Sequence, residues 1–498
     1  MWINCEITTL DGHISYDTIC RMIIDAIPAT QTFKNTHVTE RAVASFLKYI
    51  EQRLHVSVIR NVRGLPGAQE LLEPFHLGTL LQSAGIIQAF GRVTDFPDEP
   101  QTKSWFAICN DPATNMAGGT TWDNDADALY ATLAEALERY IWFTQRDYFL
   151  NPTRATASGI QKRGQSIAPG KIVGFSDEQR ADRSHRHLRD DTEYLWIQGT
   201  SLIRGDRVYV PAQTVSGIRY LSPDIKEPTI RRPTTNGLAT WHTQIGARLA
   251  GVLEVLERDA YMISWLNQLT LPRFSLDSLC SRDPGLAQHV AVCERYRLKT
   301  HVVQLLTDAP THVVAVILED MSGNAPRFSF GLRAHRSFPF AVQKATTEAL
   351  RGRRAYRVWS NKGGTWDMST PTLEIGHRER LYYWGVPEHA KNLEFLIQGP
   401  EIEATPALWE NDSEEEHLRR VLRWCAEKSF ECISVSLGAA AKNITPLHIE
   451  MVVMPELQPT YLTEFTQTFG GTRLKDVPAA FGYTPLKRPF ADAPHPFS

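Results

Sequence analysis

Two segments of this chain carry the same pattern of charge, Glu-x-x-Glu-Arg. In ATLAEALERYI it is Glu135, Glu138 and Arg139; in AGVLEVLERDA it is Glu254, Glu257 and Arg258. Helical residues three apart share a face, so each segment, if helical, sets two carboxylates side by side with an arginine next to them. Such oxygen donors suit Mg²⁺, which takes carboxylates together with water and substrate phosphates, and the arginines suit the phosphates themselves. The chemistry implied is that of ATP carried on Mg²⁺. A third segment, AVQKATTEALRGRR, echoes the spacing, with Ala341 standing before Glu348 as Ala128 stands before Glu135 and Ala247 before Glu254. Its second carboxylate gives way to Arg351, and Arg353 and Arg354 follow, which supplies charge for phosphate rather than ligands for a metal.

Three helices are needed to hold these groups. Leu133, Leu137 and Tyr140 form the apolar stripe of the first, and Leu249, Val252 and Leu256 that of the second, with the glutamates off the stripe in both. A Glu-rich stripe is ordinarily a solvated face, but the same offset from the apolar residues in two copies favours a shared task. Between the helices lie β-like runs: GIIQAF at 85–90, SWFAIC at 104–109, RVYVPAQTV at 207–215 and THVVAVIL at 311–318. This mixture favours an α+β fold of mixed or antiparallel sheets over a strict parallel series. Residues 1–78 read as a small N-terminal α/β appendage, with helical patterns at 17–28 and 39–53 and a strand at 55–60; residues 79–498 read as the main domain. The charged run 177–191 reads as an exposed insertion, and 411–428 as a helix opening at an Asp cap. The chain ends in the proline-rich PLKRPFADAPHPFS.

Composition narrows the choice further. The 498 residues are 42% hydrophobic, enough for a large core, and a net charge of −3 argues against nucleic acid as a partner. Seven scattered cysteines without a Cys-x-x-Cys suggest neither a disulfide framework nor a thiolate zinc site, and a reducing compartment. No signal-peptide pattern opens the chain and no apolar run approaches about 18 residues, so a soluble cytoplasmic protein away from membranes is expected. The stretch Gly164 to Lys171 has one residue too many for a P-loop, and Ile172 stands where Ser or Thr should reach Mg²⁺. Glu374-x-x-His377 and Glu414-x-x-His417 have di-iron spacing, but Gly376 interrupts one and an acidic run surrounds the other, so surface helices are expected.

The order of these motifs is similar to that of the YcaO family: GGTTWDNDADALYATLAEALERY, TTNGLATWHTQIGARLAGVLEVLERDA, GLRAHRSFPFAVQKATTEALRGRR, VVMPELQPTY, FGGTRLKDVP and PHPFS, over roughly 80–498. The resemblance implies binding of ATP and Mg²⁺ between helices and activation of a peptide backbone amide. In its commonest form a Cys, Ser or Thr side chain attacks the preceding carbonyl. The oxygen of that adduct then takes the γ-phosphoryl group, and loss of phosphate closes a thiazoline or oxazoline. By the resemblance Glu135, Glu138, Glu254 and Glu257 hold the metal, and Arg139, His242, Arg258, Glu348, Arg351 and Arg353 contact the nucleotide. The carboxylate of Ser498 is the base implied at the end of the tail, with the ligand helices expected to lie at a distance from it. The implied partners are a precursor peptide, a separate leader-binding protein of the ubiquitin-activating-enzyme-like kind and an oxidase, with a homodimer also allowed. Residues 1–78 would dock peptide or partner. Ala131, His242 and Gly246 depart from the family's serine, asparagine and glutamate, and Arg351 from its glutamine. Those departures leave room for thioamide or amidine chemistry, or for a silent scaffold that binds peptide or partner.

Overall fold

The computed structural model describes residues 7–9, 12–14, 56–58, 68–110, 116–144, 151–182, 188, 191–217, 227–361, 363, 375–403, 407, 409–438 and 447–497. The helical patterns expected at 17–28 and 39–53 lie outside these, as does Ser498. The chain divides into two compact units, residues 1–140 and 141–498. The boundary expected at 78/79 falls within a helix, Ala68–Ser83.

In the first unit four strands, Val56–Val58, Ile87–Val93, Lys103–Cys109 and Met116–Thr121, form an antiparallel sheet in that order. Helix α1, Asp125–Thr144, follows the last strand. Its Ala128, Leu129, Leu133, Ala136 and Leu137 are fully buried, and Asp125 and Asp127 in the first turn favour the positive end of the helix dipole. Glycine at 119 is what allows close packing here. A Cβ at that position would stand 2.3 Å from the Ala128 carbonyl oxygen, so only hydrogen fits.

The second unit is built on two sheets. One has seven strands in the order Leu238–Trp241, His448–Val453, Ile433–Ser436, Glu193–Ser201, Arg207–Pro211 and Gln165–Ser166, with Thr153–Thr156 also pairing to Glu193–Ser201. The other has five: Phe328–His335, His312–Asp320, Leu298–Gln304, Arg273–Phe274 and Glu401–Ile402. Both are antiparallel apart from one short parallel pair each, which agrees with the expected mixed α+β class. Helix α2, Gln244–Leu266, packs against both sheets and is buried on nearly every side over its C-terminal half. That explains its continuous apolar run from Ala260 to Leu266, broken only by Ser264, whose hydroxyl donates to the Ala260 carbonyl. Helix α3, Phe338–Ser360, lies on the five-stranded sheet, and Gly331 lets it approach: a Cβ there would meet the Ala345 carbonyl oxygen at 1.9 Å.

Two local expectations are corrected. The helix expected at 411–428 runs Glu414–Glu427 and is capped by Ser413, whose hydroxyl accepts from the Glu416 N–H while the Glu416 carboxylate accepts from the Ser413 N–H. Asp412 instead binds Arg420. In the run 177–191, Asp177–Asp182 is helical and Arg180 is buried, donating to the carbonyls of Phe175, Thr229 and Ile230; an arginine saturated by backbone acceptors needs no solvent. No helix among the described residues is long and apolar enough to cross a membrane.

Candidate active site

The three helices share one device that ties a glutamate to the backbone of the strand before it or, for α2, to the turn residue that leads into that strand. Glu135 on α1 accepts a backbone hydrogen bond from the Gly118 N–H at 2.8 Å, seventeen residues upstream. On α2, Glu254 accepts from the Gly237 N–H at 3.2 Å, again seventeen upstream, and on α3 Glu348 accepts from the Leu332 N–H at 2.9 Å, sixteen upstream. Ala128, Ala247 and Ala341, the small residues of the repeat, are all fully buried. Each copy is therefore a strand, a connection and a helix, with small residues letting the helix sit close and one carboxylate oxygen pinned by a backbone N–H within the strand or at its entry. A carboxylate fixed this way loses little further entropy when it takes a ligand on its other oxygen.

In the first unit, Arg139 Nη2 lies 2.5 Å from Glu135 Oε1, and half-buried Glu138 follows three residues after Glu135. In the second unit, Arg258 Nη1 is 3.0 Å from Glu257 Oε1, and its Nη2 is 3.8 Å from Glu254 Oε1. Glu257 also accepts from the Ala334 N–H at 2.8 Å. It is 4% exposed, which corrects the expectation that both glutamates of this helix stand off the buried face: two strong partners cover the cost of its burial. Arg351 Nη2 lies 3.5 Å from Glu348 Oε1.

These charges act on one another. Burial pushes the Glu254 carboxyl up to about 7; Arg258 offsets this in part and the like charge of Glu257 adds to it. Burial likewise raises Glu348, against the pull of Arg351 and Arg258. For Arg258, burial opposes the charge, but Glu257, Glu254 and Glu348 together outweigh it and hold the guanidinium firmly protonated. The second unit thus sets two half-buried carboxylates, Glu254 and Glu348, whose arginines do not fully offset their desolvation, beside the buried Glu257, which is the electrostatic signature of a place for a further cation. Arg333 went unnoticed in the sequence. It sits between the backbone donors Leu332 and Ala334 and within electrostatic reach of Glu254. Its only signal was a charged residue inside a largely apolar strand ahead of a glutamate helix.

The remaining expected residues are placed as follows. Arg353 is turned away from these carboxylates: its Nη2 lies 2.5 Å from Asp320 Oδ2 and its Nη1 donates to the Pro326 carbonyl, both buried. His242 is exposed at the start of α2, with its ring edge-on to Trp241. Gly246 lies beneath the Trp241 indole, where a Cβ would stand 1.9 Å from a ring carbon, so the indole covers the position at which the family's glutamate would branch. The tail comes to α2, contrary to the distance expected of it. The Arg258 guanidinium carbon lies 4.2 Å from the centre of the Phe497 ring.

Among the described residues no three Asp, Glu, His or Cys side chains are assembled as a metal centre. The donors nevertheless fit Mg²⁺ and a nucleotide in kind. They are carboxylates only, with Glu135, Glu254 and Glu257 held by backbone N–H groups, Glu254 only partly compensated and arginines alongside.

Residues 121–458 match the family model described as YcaO cyclodehydratase, ATP- and Mg²⁺-binding, and the chain belongs to that family. ATP and Mg²⁺ are thus its family's ligands. The fold agrees with that of a heterocyclase solved in complex with substrate and cofactor (TM-score 0.69, 21% identity, 87% of this chain and 58% of that one). It also agrees with YcaO from Methanopyrus kandleri bound with AMPPCP and Mg²⁺ (TM-score 0.55, 17% identity, 81% and 95%) and with the E. coli microcin synthetase McbBCD complex with pro-MccB17 bound (TM-score 0.53, 12% identity, 74% and 88%). An uncharacterized protein of Methanothermobacter thermautotrophicus is 26% identical over 163 residues, 32% of this chain. The chain thus matches 42% of that relative's length and 58% of the heterocyclase's.

Proposed function

We propose that this chain is an ATP-dependent cyclodehydratase that activates backbone amides of a ribosomally made precursor peptide and closes Cys, Ser or Thr residues into azolines. The observation that carries the reading is the repeated backbone clamp on Glu135, Glu254 and Glu348, with an arginine beside each, of which Arg258 is held in its charged state by the surrounding carboxylates. Glu135, Glu138, Glu254 and Glu257 would hold Mg²⁺, whose contribution when bound is to neutralise phosphate charge. Arg139, Arg258 and Arg351 would meet phosphate oxygens, with Glu348 orienting Arg351 and Arg258 by its charge, and His242 would lie against the nucleotide. Arg353, committed to Asp320, would act on α3 rather than on phosphate. Such a site works by holding the amide oxygen and the γ-phosphate in line and by matching the charge that develops between them. The Ser498 carboxylate would take the proton released on ring closure.

The peptide would be delivered by a separate leader-binding protein of the ubiquitin-activating-enzyme-like kind, with an oxidase acting afterwards, in the cytoplasm. Residues 1–78 would form a docking unit ahead of a catalytic domain from 79 onward, and two copies could pair. A catalytically silent scaffold is the second reading, favoured by Trp241 lying over Gly246 where the family's glutamate is missing. Calorimetry with a non-hydrolysable ATP analogue tests the site: binding should require Mg²⁺ and weaken at least about tenfold in Glu135→Gln and in Glu254→Gln. Wild-type affinity in both variants would overturn the assignment. Phosphate release that rises with peptide and partner separates the enzyme from the scaffold.

A further inference from the structure

Residues 493–497 are built into the core of the second unit. The Phe490 N–H donates to the Leu266 carbonyl at 2.8 Å, and the Trp384 indole N–H donates to the Pro494 carbonyl at 3.1 Å. His495 is buried, with Nε2 3.0 Å from the Tyr461 carbonyl oxygen and its ring edge-on to both Tyr261 and Tyr461. The Phe497 N–H donates to the Tyr261 hydroxyl oxygen at 3.3 Å, and the ring is 9% exposed. Tyr261 lies three residues after Arg258 on α2, so both share one helix face. The Arg258 guanidinium thus stands against the Phe497 ring, 4.2 Å from its centre, while its Nη1 is 3.0 Å from Glu257 Oε1.

An arginine side chain loses much rotational freedom when it is fixed, and a ring face that attracts its cation supplies that fixing before any ligand arrives. We propose that Phe497 is a positioning residue for nucleotide binding: held by Tyr261, its ring sets the Arg258 guanidinium where it meets phosphate. Tail docking and nucleotide affinity are then one linked equilibrium, and each strengthens the other by the same factor. The inference rests on the reading of Arg258 as a phosphate contact. It differs from the role given to the terminal carboxylate, which concerns ring closure and leaves affinity alone.

The test is affinity for a non-hydrolysable ATP analogue with Mg²⁺, measured on the full chain. Phe497→Ala should weaken binding about fivefold to tenfold, and Phe497→Leu should do nearly the same although it refills the apolar space. Phe497→Trp should stay within about twofold of wild type, because it restores a ring face to the cation. Turnover should follow, with the KM for ATP raised more than kcat is lowered. Wild-type affinity in Phe497→Leu would overturn the proposal, since packing alone would then suffice. Were the wild type to bind no nucleotide, the function reading would fall, and the tail pairing would be decided on the ligand-free protein. Carboxypeptidase should then release Phe497 faster from Arg258→Met than from wild type, and equal rates would sink the pairing.

Discussion

Replacing Glu254 by glutamine should stabilise the ligand-free protein near neutral pH while removing its response to Mg²⁺ and nucleotide. The Glu254 carboxyl titrates at about 7 in the fold, against an ordinary value of 4.5, with burial as the main cause. An acid whose folded pKa is raised contributes stability below its unfolded pKa, and that contribution is lost as pH rises through the folded value. The window is therefore about pH 4.5 to 7. A shift of this size corresponds to about 3 kcal/mol, and since the side chain is 30% exposed, solvent screening reduces the working figure to about 2 kcal/mol. Glutamine is neutral at every pH, so the variant and the wild type should match near pH 4.5 and diverge above it, with the variant more stable by about 2 kcal/mol at pH 7.5. Denaturant unfolding at a series of pH values, followed by the tryptophans of the second unit, reads this difference directly. Mg²⁺ with a non-hydrolysable ATP analogue should then raise the stability of wild type alone. Parallel pH profiles for the two proteins would refute the claim that Glu254 is a strained, undercompensated carboxylate.

Two further outcomes test the scaffold. Gly331→Ala, in the strand beneath α3, drives a methyl group to 1.9 Å from the Ala345 carbonyl and should cost at least about 1–3 kcal/mol, whereas Gly352→Ala on α3 itself meets nothing and should be neutral or mildly stabilising; thermal melts of the pair check both. Arg473→Met breaks a buried pairing with Asp259 at 2.7 Å and Asp308 at 2.8 Å and should cost about 3–5 kcal/mol in denaturant unfolding, while calorimetry finds nucleotide affinity within about twofold of wild type.

The glutamate helices were legible as a repeat because each copy shows itself in local spacing. A pair of residues three apart on a helix needs no knowledge of what packs against it, and the buried alanine seven residues earlier marks the same face in all three copies. The strand partners were not legible. Gly118, Gly237 and Leu332 offer backbone N–H groups, which every residue except proline carries, so nothing in the sequence distinguishes them from their neighbours. Arginines proved the hardest to assign, for a related reason. Arg351 and Arg353 look equivalent in ALRGRR, but an offset of two turns a helical side chain through about 200°, and one faces Glu348 while the other faces Asp320. The tail goes beyond any such rule. Phe497 and Tyr261 stand 236 residues apart and belong to no shared period, so only the fold could join the end of the chain to the helix that carries Glu254 and Glu257. That union gives the proline-rich ending a physical reason. A segment that must keep one place against Arg258 benefits from residues whose backbone has little freedom to lose, and Pro494 and Pro496 flank the buried His495 that holds it there.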